Sequence, residues 1–295
     1  MTAGIIDLGS NSVKLSVYDI LGDREIVSMR KVTRLGQNTE NGMLAESSVS
    51  ETLKTLDYFL SVCRENNCEE TEIIATSAVR DAKNRKEFEC LIREKLGAEL
   101  RVISGKEEAE LVYKGLYPKG KTLVADIGGG SVEFALGAGD DILFSESLPF
   151  GAVRMSDAFF RDGISEMEAF GKLCDYLMKE LASSVREIRK IGFDDFVGVG
   201  GTFENLCSFT CHRTGFFDYC LSEDLIVSAG ILLEMPLNER KKQKGINPDR
   251  ADIIGACGAI LKTVLLLCCA EKVRMSGTSL RDGIKRELKE KYLIL

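Results

Sequence analysis

The sequence predicts an α/β protein built from two related domains that face one cleft. Short apolar runs typical of strands alternate with longer stretches of helical periodicity, a pattern that favours buried, partly parallel sheets. One motif occurs near the N-terminus and again farther along, each time between two apolar runs, which indicates a duplicated domain. The 295 residues, 44% hydrophobic and 29% charged, suffice for two globular domains and exclude a disordered or fibrous chain.

The first domain is expected to span residues 1–121. Apolar runs predict strands at 3–7, 13–20, 72–75 and 100–103, and helical spacing predicts helices at 50–66 and 84–96, the second ended by Gly97. A further helix follows the last of these strands and runs to about residue 116. The polar, turn-rich residues 117–121 mark the domain boundary.

The second domain is expected to span residues 122–295. Strands are predicted at 122–126, 131–136, 141–148, 196–199 and 272–276, and helices at 165–190, 222–234 and 251–270. The most apolar run, 253–270, contains Lys262 and three small residues, so it predicts a buried helix rather than a membrane span. Whether a C-terminal helix at about 283–295 packs back on the first domain stays open.

The repeated motif runs from Asp7 to Lys14 and from Asp126 to Glu133, and its central residues are typical of a tight β-hairpin turn. Glycines let the backbone approach an oxyanion, and successive N–H groups can form an anion-binding nest. The candidate phosphate-binding residues are therefore Gly9, Ser10, Asn11, Ser12, Gly128, Gly129, Gly130 and Ser131. Asp7 and Asp126, at the strand ends, are candidate ligands of Mg²⁺. Two ordinary hairpin turns are the alternative, but duplication in register favours a functional role.

A separate glycine cluster lies between a predicted strand and a predicted helix, and it adds Gly200, Gly201 and Thr202 to the phosphate-binding candidates. Helix N-termini bind phosphate through free N–H groups. A tight turn between strand and helix explains the same residues equally well.

Two glutamates are candidates for catalysis. Ser104 and Glu107 have the spacing of a capping box, which gives Glu107 a structural role that Glu108 cannot share, so Glu108 is the candidate to act on a water molecule. The alternative for Glu108 is a solvated side chain favoured by the helix dipole. Glu133 shares a strand face with Ser131 and thus points toward a bound phosphate, unless that strand lies at an edge or faces solvent.

Arg80 follows the predicted strand at 72–75, and a guanidinium there can clamp a phosphate through two parallel hydrogen bonds. The alternative is a surface ion pair with Asp81 or Glu87.

Composition narrows the function further. The net charge of −7 disfavours a nucleic-acid-binding protein, and the single histidine, His212, excludes multi-histidine metal centres. Ten cysteines in a chain that does not open like a signal peptide favour free thiols and a cytoplasmic location. Cys207, Cys211, His212 and Cys220 come nearest to a metal-binding pattern, but their spacing fits no common zinc module and favours buried thiols.

These motifs together resemble the exopolyphosphatase/guanosine pentaphosphate phosphatase (Ppx/GppA) family in a short two-domain form. The matching stretches are residues 6–12, 75–80 with Asn84, 103–109, 126–133, 147–154, 200–202 and 250–254. The resemblance implies two ribonuclease-H-like domains of the actin, sugar-kinase and heat-shock ATPase superfold with a cleft between them. Longer members of the family carry a C-terminal helical extension, which we expect this chain to lack.

The resemblance also implies the chemistry. The expected reaction is Mg²⁺-dependent hydrolysis of the terminal phosphoanhydride of inorganic polyphosphate or guanosine pentaphosphate. Glu108 becomes the base that positions water, Asp126 and Glu133 become ligands of metal or water, and Arg80 becomes the substrate arginine.

Two features depart from the family pattern. Glu110 stands where many members have arginine, and residues 279–283 replace the usual Gly-Leu-Arg. They leave the preferred substrate open. An ATP-dependent kinase or a nucleotide-switch protein of the same superfold is the alternative function. We expect no nucleic-acid or membrane partner, and a homodimer stays open.

Overall fold

The computed structural model describes residues 1–37, 42–160 and 163–293. The chain divides into two compact units, here called unit 1 (Met1–Gly115 with Ser279–Leu295) and unit 2 (Leu116–Thr278). This division places the boundary after residue 115 rather than 121, and it assigns the C-terminal segment to unit 1 instead of the second domain. Each unit contains one mixed sheet with helices, so the α/β fold class is confirmed.

Unit 1 is a five-stranded sheet in the order β3-β2-β1-β4-β5. Its elements up to the boundary are β1 (Thr2–Leu8), β2 (Ser12–Asp19), β3 (Arg24–Val32), α1 (Glu46–Glu65), β4 (Glu70–Ala75), α2 (Ser77–Arg80), α3 (Arg85–Leu96), β5 (Leu100–Val102) and α4 (Gly105–Leu116). Strands β1, β2 and β3 pair antiparallel, and β1, β4 and β5 pair parallel. The apolar residues of β1, β2, α1 and α3 form one core.

Unit 2 is a six-stranded sheet in the order β10-β11-β9-β6-β7-β8. Its elements are β6 (Lys121–Ile127), β7 (Val132–Ala138), β8 (Asp141–Leu148), α5 (Ala152–Phe159), α6 (Glu166–Glu180), α7 (Ala182–Ile191), β9 (Asp195–Val199), α8 (Gly200–Thr214), β10 (Cys220–Leu221), α9 (Ser222–Glu234), α10 (Leu237–Arg240), a 3₁₀ helix (Pro248–Ile253), α11 (Ile254–Cys268) and β11 (Lys272–Met275).

The two sheets share one topology. The order β8-β7-β6-β9-β11 in unit 2 matches β3-β2-β1-β4-β5 in unit 1, with the same antiparallel and parallel pairs, and β10 is added at one edge. Both predicted hairpins are present in the same register, since Asp7 pairs with Lys14 and Asp126 pairs with Glu133. The sequence repeat therefore reflects a structural duplication.

The C-terminal helix α12 (Leu280–Leu293) packs within unit 1, against β1 and α4. A Cβ atom on Gly283 would lie 2.1 Å from the carbonyl oxygen of Leu111, and one on Gly115 would lie 2.7 Å from the amide nitrogen of Gly283. These two glycines let α4 and α12 approach closely, because any larger side chain would clash with backbone. Residues 294 and 295 of the expected helix lie outside the described residues.

Two predicted helices of unit 2 differ in detail from the structure. The predicted helix 165–190 is two helices, α6 and α7, which meet at Leu181. The predicted helix 251–270 begins as a 3₁₀ turn and continues as α11. Within the described residues, one helical stretch, Pro248–Cys268, is long and apolar enough to cross a membrane, but 78% of its most apolar window is buried. The prediction of a buried core helix is confirmed.

Candidate functional site

The first glycine turn joins β1 to β2 and is closed by a hydrogen bond from the N–H of Gly9 to the carbonyl of Ser12 (3.2 Å). Ser10, Asn11 and Ser12 are all buried. The hydroxyl of Ser10 lies 3.1 Å from that of Ser77, and the hydroxyl of Ser12 accepts a hydrogen bond from Arg30 (3.2 Å). Both serine hydroxyls therefore help to hold the turn in place.

The carbonyl groups of this turn are bound by the segment that follows β3. The carbonyl of Ser10 accepts a bond from the N–H of Gly36 (2.8 Å), and that of Asn11 accepts bonds from Thr33 (3.2 Å) and Arg34 (2.9 Å). In a trans peptide the C=O and the next N–H point in opposite directions, and the turn contains no cis bond. The N–H groups of Asn11 and Ser12 therefore point away from residues 33–36.

The second glycine turn joins β6 to β7 and has the same closing bond, from the N–H of Gly128 to the carbonyl of Ser131 (3.0 Å). Its other carbonyls are bound by the start of α5. The donors are the N–H groups of Ala152 (2.9 Å), Val153 (2.8 Å) and Arg154 (3.1 Å) and the Nε of Arg154 (3.0 Å). By the same peptide geometry, the N–H groups of Gly129, Gly130 and Ser131 all point away from α5. Three successive backbone donors in a turn are an arrangement that can bind an anion.

The segments that fix the two turns occupy equivalent places, because each follows the third strand of its unit. Gly151 in unit 2 approaches so closely that a Cβ atom on it would lie 2.3 Å from the amide nitrogen of Ser131. Sequence reasoning missed both supports. Residues 151–154 enter the sequence-based prediction only through the family resemblance, and residues 33–36 carry no signal.

Arg80 and Glu108 are brought together in unit 1. The Nη1 of Arg80, at the end of α2, lies 3.0 Å from Oε2 of Glu108, in the first turn of α4. Their side chains are 19% and 12% exposed, so the pair is largely shielded from water. Arg80 also donates to the carbonyl of Ile103 (3.3 Å), and its Nε lies 3.6 Å from Asp81. The ion pair with Asp81, which was the alternative interpretation of Arg80, is thus present, but Glu108 is the nearer carboxylate.

Glu107 has the structural role that its spacing predicts. The N–H of Glu107 donates to the Ser104 hydroxyl (3.1 Å), and a Glu107 carboxylate oxygen accepts from the N–H of Ser104 (3.4 Å). The other carboxylate oxygen of Glu107 pairs with Arg101 (2.8 Å). Burial lowers the pKa of Arg101, but its bonds to Glu107 and to Glu287 on α12 outweigh that effect and hold the pKa above its usual range. The capping box and this pair orient the first turn of α4, which carries Glu108.

Asp126 and Glu133 occupy directly opposite positions on β6 and β7, so their carboxylates share one face of the sheet. Glu133 is only 3% exposed, and its Oε1 accepts a hydrogen bond from the Ser147 hydroxyl (2.7 Å). Because β7 lies between β6 and β8, the alternative of an edge or solvent-facing Glu133 is wrong.

The chemistry of this carboxylate pair fits Mg²⁺, which binds through one or two carboxylates while keeping water and phosphate oxygens as its other ligands. The described residues contain no group of three or more histidine, cysteine or acidic side chains that could enclose a metal. Asp7 differs from Asp126, since its cross-strand neighbour is Lys14 rather than a glutamate. Unit 1 therefore does not bring two carboxylates together at the equivalent position.

Gly200 and Gly201 form the start of α8. Gly200 has a φ of +80°, and a Cβ atom on it would lie 2.1 Å from Oδ1 of Asp126, so this position requires glycine. A Cβ atom on Gly201 would lie 2.7 Å from the guanidinium of Arg250, which is buried. This close contact places Arg250 beside the helix N-terminus, a position that sequence reasoning did not assign to it.

Thr202 points into unit 2. Its side chain is 0% exposed, and its hydroxyl lies 3.4 Å from the Cys257 sulfur and accepts a hydrogen bond from Arg250 (3.3 Å). The hydroxyl is thus occupied by internal contacts.

Three comparisons relate this chain to known proteins. The sequence model of the Ppx/GppA phosphatase family matches residues 11–291. Exopolyphosphatase 1 of Mycobacterium tuberculosis is 28% identical over 96% of this chain and 87% of that protein. The guanosine-5'-triphosphate,3'-diphosphate pyrophosphatase of Photobacterium profundum is 28% identical over 97% of this chain and 59% of its own length. The crystal structure of an exopolyphosphatase from Cytophaga hutchinsonii is similar with a TM-score of 0.89 and 26% identity, covering 99% of this chain and 98% of that one.

Proposed function

This chain belongs to the Ppx/GppA phosphatase family and is a phosphoanhydride hydrolase, and we propose that its substrates are inorganic polyphosphate, guanosine pentaphosphate or both. In the proposed reaction a water molecule positioned by Glu108 attacks the terminal phosphorus, and the reaction depends on Mg²⁺. The names of the relatives support these two substrates, since one is an exopolyphosphatase and another is a pyrophosphatase of the guanosine compound.

The observation that carries the proposal is the pair of Glu108 and Arg80. Phosphoryl transfer depends mainly on positioning and on neutralising charge, so a carboxylate beside a fixed guanidinium supplies both requirements. The carboxylate of Glu108 accepts a hydrogen bond from the attacking water, and Arg80 binds oxygens of the phosphoryl group. Glu107, its neighbour in sequence, is committed to the capping box and Arg101.

Backbone donors bind the phosphate oxygens in this proposal. The N–H groups of Gly129, Gly130 and Ser131 in unit 2, and those of Asn11 and Ser12 in unit 1, point away from the segments that hold their carbonyls. Such donors stabilise developing negative charge without reorganisation, because the turns are already fixed. The start of α8, with Gly200 and Gly201, adds further donors in unit 2.

Asp126 and Glu133 are the proposed ligands of Mg²⁺. The ion, when bound, neutralises charge on the phosphate oxygens. Asp7 is not included among the ligands, because Lys14 faces it. The hydroxyl of Ser147 fixes the orientation of Glu133 through its 2.7 Å hydrogen bond. We also propose a cytoplasmic location, which the ten free thiols support.

The test measures orthophosphate release from polyphosphate, guanosine pentaphosphate and ATP in parallel, for the wild type and for Glu108→Gln and Glu107→Gln. Loss of a positioned base lowers turnover by about 10²–10⁴-fold, and Glu108→Gln should show this loss. Glu107→Gln is the matched control, because it makes the same carboxylate-to-amide change at the neighbouring glutamate. Its turnover should stay within a few-fold of the wild type.

Three outcomes would contradict the proposal. Near-native turnover of both phosphate substrates by Glu108→Gln removes Glu108 as the residue that positions water. ATP turnover that requires an added acceptor, with no orthophosphate released from polyphosphate or guanosine pentaphosphate, would indicate a kinase. ATP binding without turnover would indicate a nucleotide switch.

A further inference from the structure

Three thiols lie together in unit 2, away from the residues of the proposed reaction. Cys207 and Cys211 lie one turn apart on α8, and Cys220 lies on β10. The sulfur atoms of Cys211 and Cys220 are 3.6 Å apart, and the Cys220 thiol lies 3.7 Å from the carbonyl oxygen of Cys207. All three side chains are buried.

This cluster does not extend to a metal site within the part of the chain that the structure describes. His212, the single histidine of the sequence, is exposed, and its ring lies 6.0 Å from that of Phe217. No group of three or more histidine, cysteine or acidic side chains there has the arrangement of metal ligands. Cys207, Cys211 and Cys220 are buried free thiols, as the sequence predicts, and what they do in the protein is left to explain.

The geometry suits a disulfide between Cys211 and Cys220. A disulfide bond measures about 2.0 Å, so the two sulfurs need to approach by about 1.5 Å. The segment that carries Cys220 can make this shift, because β10 is a two-residue strand at the edge of the sheet, paired with β11. Short edge strands belong to the parts of a protein that open locally at low cost in free energy, and such opening also admits a small oxidant.

The two thiols differ in acidity. Hydrogen bonding from Cys207 lowers the pKa of Cys220 to about 7, against the effect of burial, and a bond from Cys211 lowers it further. Burial and Cys220 together raise the pKa of Cys211 to about 11. Asp224 on α9 opposes ionisation of Cys220 but is itself paired with Arg213 at 2.8 Å. Cys220 is therefore the nucleophile of the pair and Cys211 the resolving thiol.

We propose that Cys211 and Cys220 are a modification site at which hydrogen peroxide forms a reversible intramolecular disulfide. The Cys220 sulfur attacks one peroxide oxygen, so that an S–O bond forms, the O–O bond breaks, and hydroxide leaves and is protonated to water. The Cys211 sulfur then attacks the sulfenic sulfur, so that the S–S bond forms, the S–O bond breaks, and the departing hydroxide leaves as water with the Cys211 proton. Two thiols lose two electrons, and one peroxide becomes two water molecules.

The consequence is a covalent link between α8 and the sheet edge. The bond closes the loop that carries Phe216, Phe217 and Tyr219, three exposed aromatic residues, and it joins β10 to the helix that begins at Gly200. This proposal stands independently of the proposed function, because it concerns only residues that take no part in hydrolysis.

The test treats the folded full-length protein with a small excess of hydrogen peroxide, alkylates the remaining thiols, and maps the peptides by mass spectrometry. We expect a linked pair of peptides containing Cys211 and Cys220 with a mass loss of about 2 Da, which a thiol reductant reverses. Cys211→Ser should stop the link and leave Cys220 oxidised to sulfenic or sulfinic acid. Cys207→Ala should still form the link, but more slowly near neutral pH, because Cys220 loses a hydrogen-bond donor.

The chain supplies its own control in unit 1. Cys63 and Cys68 also interact through their side chains, but burial raises the pKa of both, that of Cys68 to about 12, so this pair should oxidise more slowly. Full alkylation of Cys211 and Cys220 after peroxide treatment would overturn the proposal. So would faster oxidation of Cys63 and Cys68, or a link between Cys207 and Cys220 that survives in Cys211→Ser.

Discussion

Asp126 and Glu133 face each other across β6 and β7, in the same register that pairs Asp7 with Lys14 in the first hairpin. The duplicated hairpins thus keep their turn geometry but differ in charge at one position. Opposite charges lie side by side in unit 1, whereas unit 2 has two carboxylates, one of them buried. Two such carboxylates repel each other unless a cation lies nearby or a proton is shared. This difference makes the second hairpin the place where Mg²⁺ is expected to stabilise the fold.

The first prediction concerns Glu133→Gln. In the absence of Mg²⁺ we expect the free energy of unfolding to rise by about 0.5–1 kcal/mol, because a like-charge cross-strand pair is removed. Millimolar Mg²⁺ should raise the free energy of unfolding of the wild type, because the ion binds the folded state. The same Mg²⁺ concentration should raise the free energy of unfolding of Glu133→Gln much less. Urea unfolding with and without Mg²⁺ measures both effects.

Lys14→Gln is the matched control, because it changes the equivalent position of unit 1. Its effect on the free energy of unfolding should be the same with and without Mg²⁺. Equal stabilisation of the wild type and Glu133→Gln by Mg²⁺ would remove Glu133 from the metal ligands.

The sequence predicted the site unevenly, for physical reasons. The hairpin turns, the capping box and Glu108 were accessible because each depends on spacing within a few residues. The supports that orient the turns were not, because the bonds from Gly36 to Ser10 and from α5 to Gly128 join segments far apart in sequence. Strand β3 was missed because most of its residues are exposed and its apolar alternation is confined to Val27 and Met29.

Thr202 shows a different limit of sequence reasoning. A threonine after two glycines at a helix start resembles a phosphate ligand, but the tertiary fold turns its hydroxyl toward Cys257 and Arg250. Spacing indicates which residues begin a helix, whereas the direction of each side chain depends on what packs around that helix.

The second prediction concerns Gly200→Ala. A non-glycine residue at a φ of +80° is strained by about 1–2 kcal/mol, and the new Cβ atom would also meet Oδ1 of Asp126 at 2.1 Å. The conformational cost alone is at most about 2 kcal/mol, so we expect the total loss in free energy of unfolding to exceed that value. Turnover should also fall, because Asp126 must move.

Gly139→Ala separates the two contributions, since Gly139 also has a positive φ (+61°) but a Cβ atom there would meet nothing within 4 Å. Gly139→Ala should therefore lose only the free energy of unfolding that the positive φ costs, and its turnover should equal that of the wild type. Equal losses for both variants, measured by urea unfolding, would show that the contact with Asp126 is unimportant.

The third prediction concerns Arg80→Lys. Lysine keeps the charge but cannot replace the guanidinium, whose Nη1 donates to both Glu108 and the Ile103 carbonyl while its Nε lies 3.6 Å from Asp81. A charge-assisted hydrogen bond contributes about 1.5–3 kcal/mol, so we expect turnover of polyphosphate to fall by roughly 10–100-fold. Initial rates of phosphate release, with the protein's circular dichroism as a check of folding, measure the effect.

Arg85→Lys is the control for Arg80→Lys, because Arg85 lies on α3 and pairs with Glu89 in a more exposed ion pair. It should leave turnover unchanged. The role of Arg80 is contradicted if Arg80→Lys has the rate constants of the wild type.

The fourth prediction concerns the alkaline stability of unit 1. Burial raises the pKa of Tyr18 from 10.0 to about 12, partly offset by its hydrogen bond with Ser16, while Asp282 raises it and Arg281 lowers it. Since the folded state holds the phenolic proton more tightly, this stabilisation is fully present below pH 10 and is lost as the pH rises toward 12. The shift corresponds to about 2–3 kcal/mol. Urea unfolding measures the free energy of unfolding between pH 9 and 12. Over this range it should fall by that amount less in Tyr18→Phe than in the wild type. An equal fall in the two proteins would contradict the raised pKa of Tyr18.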